Sequence, residues 1–161
     1  MTDSIFETID RRFDSYVNNL ERLLSQPSVS ATGDGIEDCV EVLGELLETY
    51  GFEDYEEIET SRYPLVYAER IVEESAPTVV FYGHYDVQPP GDEELWDSPA
   101  FEPTIRDGAI YARGSGDNKG QLMTHLFAMD ALAAEDVELD VNVKVLIEGG
   151  EESSSIGLIE Y

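Results

Sequence analysis

Residues 78–82 read Thr-Val-Val-Phe-Tyr, an apolar run that ends at Gly83. A second run, Val-Asn-Val-Lys-Val-Leu-Ile at residues 141–147, begins by alternating and then becomes wholly apolar. Runs of this kind are typical of strands that are covered on both faces of a sheet. A helix pattern at about residues 118–134 separates them, so the sequence predicts an α/β fold with a mixed, partly parallel sheet flanked by helices.

The rest of the chain adds helices before this sheet and a hairpin after the first run. Apolar residues recur at three- and four-residue steps over residues 5–24 and 36–50, which predicts two amphipathic helices. Residues 52–59 and 65–72 alternate as strands do. Residues 104–113 predict a hairpin that turns at Asp107-Gly108.

The composition is strongly acidic. The 161 residues include 36 Asp and Glu against 9 Lys and Arg, which gives a net charge of −27. A folded chain of this size exposes on the order of 8,000 Å², so charge repulsion is strong at low salt and nearly vanishes at molar salt, where the Debye length is about 3 Å. The composition therefore indicates a halophilic protein, and it disfavours nucleic acid and anionic membranes as partners.

The cysteine content and the hydropathy of the sequence indicate the cellular compartment in which the protein is expected. A single cysteine, Cys39, excludes an intramolecular disulfide, and its helical apolar context favours a buried structural thiol. No stretch reaches the roughly 18 apolar residues of a membrane span, and residues 1–12 lack the regions of a signal peptide. We therefore expect a soluble, cytoplasmic protein.

Three polar segments stand where the predicted elements end. They are residues 83–86 after the first apolar run, residues 114–120 before the helix, and residues 149–152 after the second run. Ligands of open α/β sheets gather past the carboxyl ends of the strands, so these segments are expected to meet in one crevice. Together they offer one imidazole and several carboxylates, a set suited to zinc or another divalent metal.

Each of these residues also has a structural alternative. His84 lies two residues before Asp86, which is close enough to accept the second N–H of a metal-bound imidazole, although that pair alone does not establish a metal site. Asp117 would serve equally as a helix cap, and Glu151 and Glu152 as the acidic start of a helix. In so acidic a chain, an arbitrary carboxylate is most simply a solvated surface group.

Longer stretches around these residues resemble the M20 family of co-catalytic zinc peptidases and deacylases. The resemblance rests on residues 81–90 (Phe-Tyr-Gly-His-Tyr-Asp-Val-Gln-Pro-Pro), residues 95–103 (Leu-Trp-Asp-Ser-Pro-Ala-Phe-Glu-Pro) and residues 111–121 (Tyr-Ala-Arg-Gly-Ser-Gly-Asp-Asn-Lys-Gly-Gln). It is strongest to the dipeptidase, carnosinase-like branch, with the acetylornithine and succinyl-diaminopimelate deacylases as wider relatives. The order and spacing of the motifs match, and the similarity spans the whole chain.

The resemblance implies a role for each polar residue. It makes His84 a ligand of one metal ion, with Asp86 as the acid that orients it. Asp117 is implied as the bridge between two metal ions, with a cis peptide bond after it. Glu151 corresponds to the general base and Glu152 to a ligand of the second metal ion. The implied cofactor is two Zn²⁺ per complete site, with Co²⁺ or Mn²⁺ as alternatives.

The implied fold is a zinc-exopeptidase-like catalytic domain, and the implied activity is hydrolysis of a peptide or N-acyl amide bond. The substrate would be a small peptide or an N-acyl amino acid, attacked by a di-zinc-activated water with Glu151 as general base. Family members are longer, carry further metal ligands and a smaller dimerisation or lid domain, and are often homodimers. Residues 1–161 are therefore expected to form an incomplete, N-terminal portion of the catalytic domain, without the lid domain and the C-terminal part.

Two other classes of protein remain open. One is a truncated, non-catalytic remnant or interaction module that needs a second polypeptide to complete the site. The other is a generic acidic cation-binding protein, which predicts no special role for His84. Two conspicuous residues outside the three segments, His125 and Trp96, are expected to be structural.

Overall fold

A computed structural model of the chain describes residues 2–161. Its α-helices are α1 (Thr2–Ser25), α2 (Ile36–Thr49), α3 (Lys119–Ala134) and α4 (Ile156–Glu160). Its strands are β1 (Glu56–Ile58), β2 (Leu65–Arg70), β3 (Thr78–His84), β4 (Thr104–Arg106), β5 (Ala109–Tyr111) and β6 (Asn142–Glu148). Short 3₁₀ turns cover Glu93–Leu95 and Glu151–Ser153.

The central sheet has the strand order β1-β2-β6-β3. Strand β6 pairs in parallel with β3, from Thr78 opposite Asn142 to His84 opposite Glu148. It pairs antiparallel with β2, which in turn pairs antiparallel with β1. The prediction of a mixed, partly parallel sheet flanked by helices is therefore confirmed.

One face of this sheet carries the hydrophobic core. Alternate residues of β2 and β6 belong to the same buried cluster as residues of α1, α2 and α3, because alternate side chains of a strand share a face. These sheet residues are Val66, Ala68, Val143, Val145 and Ile147. Cys39 is fully buried in the same cluster, which confirms its prediction as a structural thiol.

Strand β3 is more exposed than its sequence predicts. Val80 and Tyr82 are 56% and 48% exposed, and they lie on the face of the strand away from the core. Within residues 2–161, β3 is an edge strand. The prediction that both faces of β3 are covered is therefore wrong, because an unbroken apolar run does not distinguish a central strand from an edge strand.

The predicted boundaries are close to those observed. The helices differ from their predicted ends by at most a few residues, whereas the strand predicted at residues 52–59 is confined to β1. The β4–β5 hairpin turns at Asp107 and Gly108, whose φ angles of 50° and 76° suit a tight hairpin turn. Among residues 2–161, no helix has the length and hydropathy needed to cross a bilayer.

A buried ammonium group links α3 to α1. Lys119, the first residue of α3, is fully buried, and its Nζ donates to the carbonyl oxygens of Leu23 at 3.1 Å and Gln26 at 2.7 Å. These carbonyls lie at the C-terminal end of α1, the negative end of its dipole. Burial lowers the pKa of Lys119. The contact fixes where α3 begins, and with it the position of the preceding loop.

The surface charge predicts a strong dependence of stability on salt. The chain exposes 8932 Å² and carries a net charge of −27, or about one charge per 330 Å². Because salt screens this repulsion, we expect Tm to rise by roughly 10 °C between about 0.1 M and 2 M KCl. Thermal denaturation followed by circular dichroism measures this shift, and NaCl should act like KCl. A Tm that stays constant or falls would show that charge repulsion does not limit stability.

Candidate metal centre

The three polar segments meet at one edge of the sheet. His84 ends β3, and the neighbouring Tyr85 N–H donates to the Glu148 carbonyl at 2.8 Å, which joins the carboxyl ends of β3 and β6. The segment before α3 reaches the same edge, because Asp117 Oδ1 lies 3.1 Å from His84 Nε2. Glu151 Oε2 lies 3.9 Å from the same nitrogen. The expectation that the segments converge in one crevice is thus met by the geometry.

His84 is held from three sides. Its side chain is 7% exposed, and Nδ1 lies 3.0 Å from the backbone oxygen of Asp86. A carbonyl oxygen only accepts hydrogen bonds, so Nδ1 carries a proton and Nε2 faces Asp117. The His84 backbone N–H donates to Asn118 Oδ1 at 3.1 Å. A β-carbon at Gly83 would lie 2.6 Å from that Asn118 oxygen, so this close approach requires glycine.

Asp86 holds the loop that follows β6. Its carboxylate is fully buried and accepts hydrogen bonds from the backbone N–H groups of Glu151 and Glu152, both at 3.1 Å. Asp86 Oδ1 is 3.4 Å from His84 Nδ1, whereas the Asp86 backbone oxygen is 3.0 Å from the same nitrogen. The backbone of Asp86 therefore orients the imidazole more closely than its side chain does. The carboxylate chiefly positions the acidic loop.

The two adjacent acids of this loop point to different partners. The Glu151 side chain is 45% exposed and faces His84, whereas the Glu152 carboxylate accepts from Gln88 Nε2 at 2.8 Å. Within the described part of the chain, residues 2–161, no three His, Cys, Asp or Glu side chains form a group that could hold a metal ion. Asp117 and Glu151 each lie near His84, at 3.1 Å and 3.9 Å from its Nε2, but the three do not form such a group, and Glu152 is bonded to Gln88.

Three further expectations concern the Asp117–Asn118 peptide bond, His125 and Trp96. The Asp117–Asn118 peptide bond is cis, as the resemblance implies. The His125 ring stacks on Phe81 with centroids 4.6 Å apart, and Trp96 Nε1 donates to the Pro90 oxygen at 3.0 Å. Each side chain thus contacts a neighbouring part of the fold, and the structural role of both stays a prediction.

Sequence reasoning did not single out several residues that shape the site. Asn118 and Gln88 are visible in the sequence only as members of longer motifs, and their partners are distant in sequence. Lys119 is one of only two lysines in the chain, but scarcity does not predict burial, because the side chain of the other, Lys144, is 40% exposed. Glu148 lies one residue beyond the apolar run at residues 141–147, yet it is the last residue of β6 and is 1% exposed.

The charge of His84 makes stability depend on pH in the metal-free protein. Burial lowers the pKa of His84, but the hydrogen bonds to Asp86 and nearby carboxylates outweigh it and raise the pKa from 6.5 to about 9. Because the folded-state pKa is raised, the stabilisation is complete below about pH 6.5 and is lost as pH rises through about 9. We expect unfolding free energy to fall by roughly 2 to 3 kcal/mol over this range, relative to His84→Gln. Denaturant titrations with a chelator present measure this difference, and parallel pH profiles for the two proteins would contradict it.

Comparison with known proteins identifies the family. Residues 80–161 match the sequence profile of Peptidase family M20/M25/M40. The chain is 40% identical over 97 residues to a Beta-Ala-His dipeptidase of Rattus norvegicus, covering 60% of this chain and 20% of that protein. It is 37% identical over 134 residues to a succinyl-diaminopimelate desuccinylase of Bordetella parapertussis, covering 83% and 34% respectively. An M20 family metallo-carboxypeptidase from Sulfolobus solfataricus superposes with a TM-score of 0.85 at 41% identity, covering 91% of this chain and 33% of that one.

The matched regions contain the candidate metal centre. The profile match begins within β3 and includes α3, β6 and the loop with Glu151 and Glu152. The chain spans only about a fifth to a third of the length of these relatives. By its sequence profile and by its fold, the chain belongs to Peptidase family M20/M25/M40.

Proposed function

We propose that this chain contributes the zinc-binding and proton-transfer residues of a hydrolase that cleaves a peptide or N-acyl amide bond. One observation carries the proposal. At the carboxyl ends of two parallel strands, the imidazole of His84 lies 3.1 Å from one carboxylate, of Asp117, and 3.9 Å from another, of Glu151. The chain belongs to a peptidase family, and hydrolysis of a peptide bond can use an imidazole and two carboxylates to hold metal ions and to transfer a proton.

The donor atoms suit zinc in type. Zinc takes imidazole nitrogen and carboxylate oxygen, and His84 Nε2 and Asp117 Oδ1 already face one another. If two metal ions bind, His84 and Asp117 would hold one, and Asp117 and Glu152 would hold the other, with the Glu152 carboxylate giving up its bond to Gln88. A zinc site has about four ligands, so each ion needs more than the two named here. We propose that additional polypeptide supplies them, in keeping with an N-terminal portion of a catalytic domain.

The chain's own residues would hold and move protons around this metal pair. Two divalent ions, when bound, lower the pKa of a water toward neutrality and polarise the scissile carbonyl. Glu151 accepts the proton of the attacking water and passes it to the leaving amine. The Asp86 carboxylate accepts a hydrogen bond from the Glu151 amide and so holds the Glu151 backbone. The Asp86 carbonyl keeps the proton of His84 on Nδ1. In the 3₁₀ turn at Glu151–Ser153 the Glu151 carboxylate faces His84 and the Glu152 carboxylate faces Gln88, so the two acids can divide the two tasks.

The substrate class follows from the relatives that match. Their names are Beta-Ala-His dipeptidase and succinyl-diaminopimelate desuccinylase. Both names describe hydrolysis of an amide bond, so we propose a small peptide or an N-acyl amino acid as the substrate here. The net charge of −27 supports a halophilic protein that works in a salt-rich cytoplasm.

A second candidate function is supported by the ligand count. Among residues 2–161 no group of three metal-binding side chains is formed. This favours a non-catalytic remnant or interaction module that needs a second polypeptide to complete the site.

Turnover by the chain itself separates these two functions. The chain would be incubated at molar salt with zinc and with dipeptides or N-acyl amino acids, and the products followed by mass spectrometry. We expect weak hydrolysis that requires zinc and disappears with a chelator. Zinc binding without any hydrolysis would favour the second function, and hydrolysis that survives the chelator would contradict the first.

A further inference from the structure

Glu148 is a buried carboxylate that the proposed reaction does not use. It ends β6 opposite His84 and is 1% exposed. Its Oε1 accepts hydrogen bonds from Tyr82 Oη at 2.5 Å and from Ser155 Oγ at 3.0 Å. Its Oε2 is buried and has no hydrogen-bond partner within residues 2–161. A buried carboxylate is costly unless it is hydrogen-bonded, so these two hydroxyl groups carry much of its stabilisation.

The two donors come from two different segments, each of which also carries a residue of the candidate metal centre. Tyr82 lies on β3, two residues before His84, whereas Ser155 ends the loop that carries Glu151 and Glu152. The Tyr82 hydroxyl donates to the same Glu148 oxygen as the Ser155 hydroxyl does. Glu148 therefore joins β3, β6 and the end of the acidic loop through one carboxylate oxygen.

The other end of the same loop is held by Asp86. The amides of Glu151 and Glu152 donate to Asp86, and Ser155 donates to Glu148 three residues later. Ser155 itself and Ser154 before it have positive φ angles of 50° and 90°. Non-glycine residues rarely adopt such angles, and the backbone here is held by the hydrogen bond from the Ser155 N–H to the Gly150 oxygen at 2.7 Å together with the side-chain bond from Ser155 to Glu148.

We propose that Glu148 is a positioning residue: through Ser155 it fixes the far end of residues 149–155 and so places the Glu151 carboxylate beside His84 and the Glu152 carboxylate beside Gln88. The proposal rests on the proposed function for the meaning of that placement. It does not require Glu148 to touch the metal ions or the substrate. Its direct consequence is that losing the Ser155 hydroxyl loosens the loop.

Ser155→Ala tests this in the metal-free protein, and Ser154→Ala is its matched control. Both serines have positive φ, but only Ser155 donates to Glu148. Hydrogen exchange of the Glu151 and Glu152 amides, followed by NMR at molar salt, measures opening of the loop. We expect exchange about tenfold faster in Ser155→Ala, with α3 amides unchanged, and little change in Ser154→Ala. Equal exchange rates in the two variants would overturn the proposal.

Tyr82→Phe provides a second, independent variant. Tyr67→Phe is its control, because Tyr67 and Tyr82 flank Leu146 on the same face of the sheet and the Tyr67 hydroxyl bonds to Glu69 instead. Tyr82→Phe should speed exchange of the loop amides, and its effect should be non-additive with that of Ser155→Ala because the two donors share one oxygen. Strict additivity, or an equal effect of Tyr67→Phe, would overturn the shared role of Glu148.

A zinc titration of the same variants connects the loop to the metal centre. We expect Ser155→Ala to weaken zinc binding by about tenfold, the lower end of the effect of removing an outer hydrogen-bond partner. If the unaltered chain binds no zinc, the proposed function fails while the exchange measurements still decide the role of Glu148. If exchange quickens in Ser155→Ala but zinc affinity is unchanged, Glu148 fixes the loop without positioning a ligand, and the proposal is overturned.

Discussion

Replacing His84 by alanine is expected to abolish tight zinc binding by this chain. His84 supplies the imidazole nitrogen that faces Asp117 at 3.1 Å, and its ring is held in place by the Asp86 carbonyl. Loss of an outer hydrogen-bond partner alone weakens metal affinity by about 10- to 100-fold, so loss of the ligand itself should cost more than about 100-fold. Competition with a chromophoric zinc chelator at molar salt measures the affinity.

His125→Ala is the matched control for this variant. It removes the only other histidine, whose ring stacks on Phe81 at 4.6 Å. Loss of this stacking should cost about 1 kcal/mol of stability and leave zinc affinity unchanged. A generic acidic cation-binding protein would bind zinc equally well in all three forms. Unaltered affinity in His84→Ala would therefore support that class of protein against the metal centre proposed here.

Replacing Glu151 by glutamine is expected to remove hydrolysis and spare zinc binding. Glutamine keeps the size of the side chain but cannot accept the proton of the attacking water. General-base catalysis contributes about 10²- to 10⁴-fold to a rate, so turnover measured by mass spectrometry should fall by that factor. Zinc affinity should change by no more than a few-fold, because Glu151 is assigned to proton transfer and not to a metal ion.

The adjacent variant Glu152→Gln should show the opposite order of effects. Glu152 is assigned as a ligand of the second metal ion, so its replacement should weaken zinc binding. Any loss of turnover should follow from that weaker binding. If Glu151→Gln weakens zinc binding more than Glu152→Gln does, the assignment of the two acids is reversed. If turnover is unchanged in Glu151→Gln, that residue is not the general base.

Much of the fold could be predicted because its patterns are local. The stripes of α1 and α2, the Asp107-Gly108 turn and the apolar runs of β3 and β6 each follow from spacing within one segment. The exposure of Val80 and Tyr82 could not be predicted in this way. It depends on the order of strands in the sheet, which places β3 at an edge.

The site was predictable in its residue types but not in its contacts. The position of His84, Asp117 and Glu151 at strand and helix ends follows from the sequence, since strand ends gather at one edge of a parallel sheet. The hydrogen bonds of Asp86 to the Glu151 and Glu152 amides join residues about 65 positions apart, and spacing carries no information about them. The bond of Glu152 to Gln88 likewise appears only in three dimensions.

X-ray absorption at the zinc edge of the zinc-loaded chain tests the proposed centre most directly. The assignment of His84, Asp117 and Glu152 predicts a shell of nitrogen and oxygen at about 2.0 to 2.2 Å, with the outer scattering of a single imidazole that disappears in His84→Ala. A sulfur neighbour at about 2.3 Å would instead place zinc on Cys39. A sulfur neighbour, or imidazole scattering that persists in His84→Ala, would contradict the proposed metal centre.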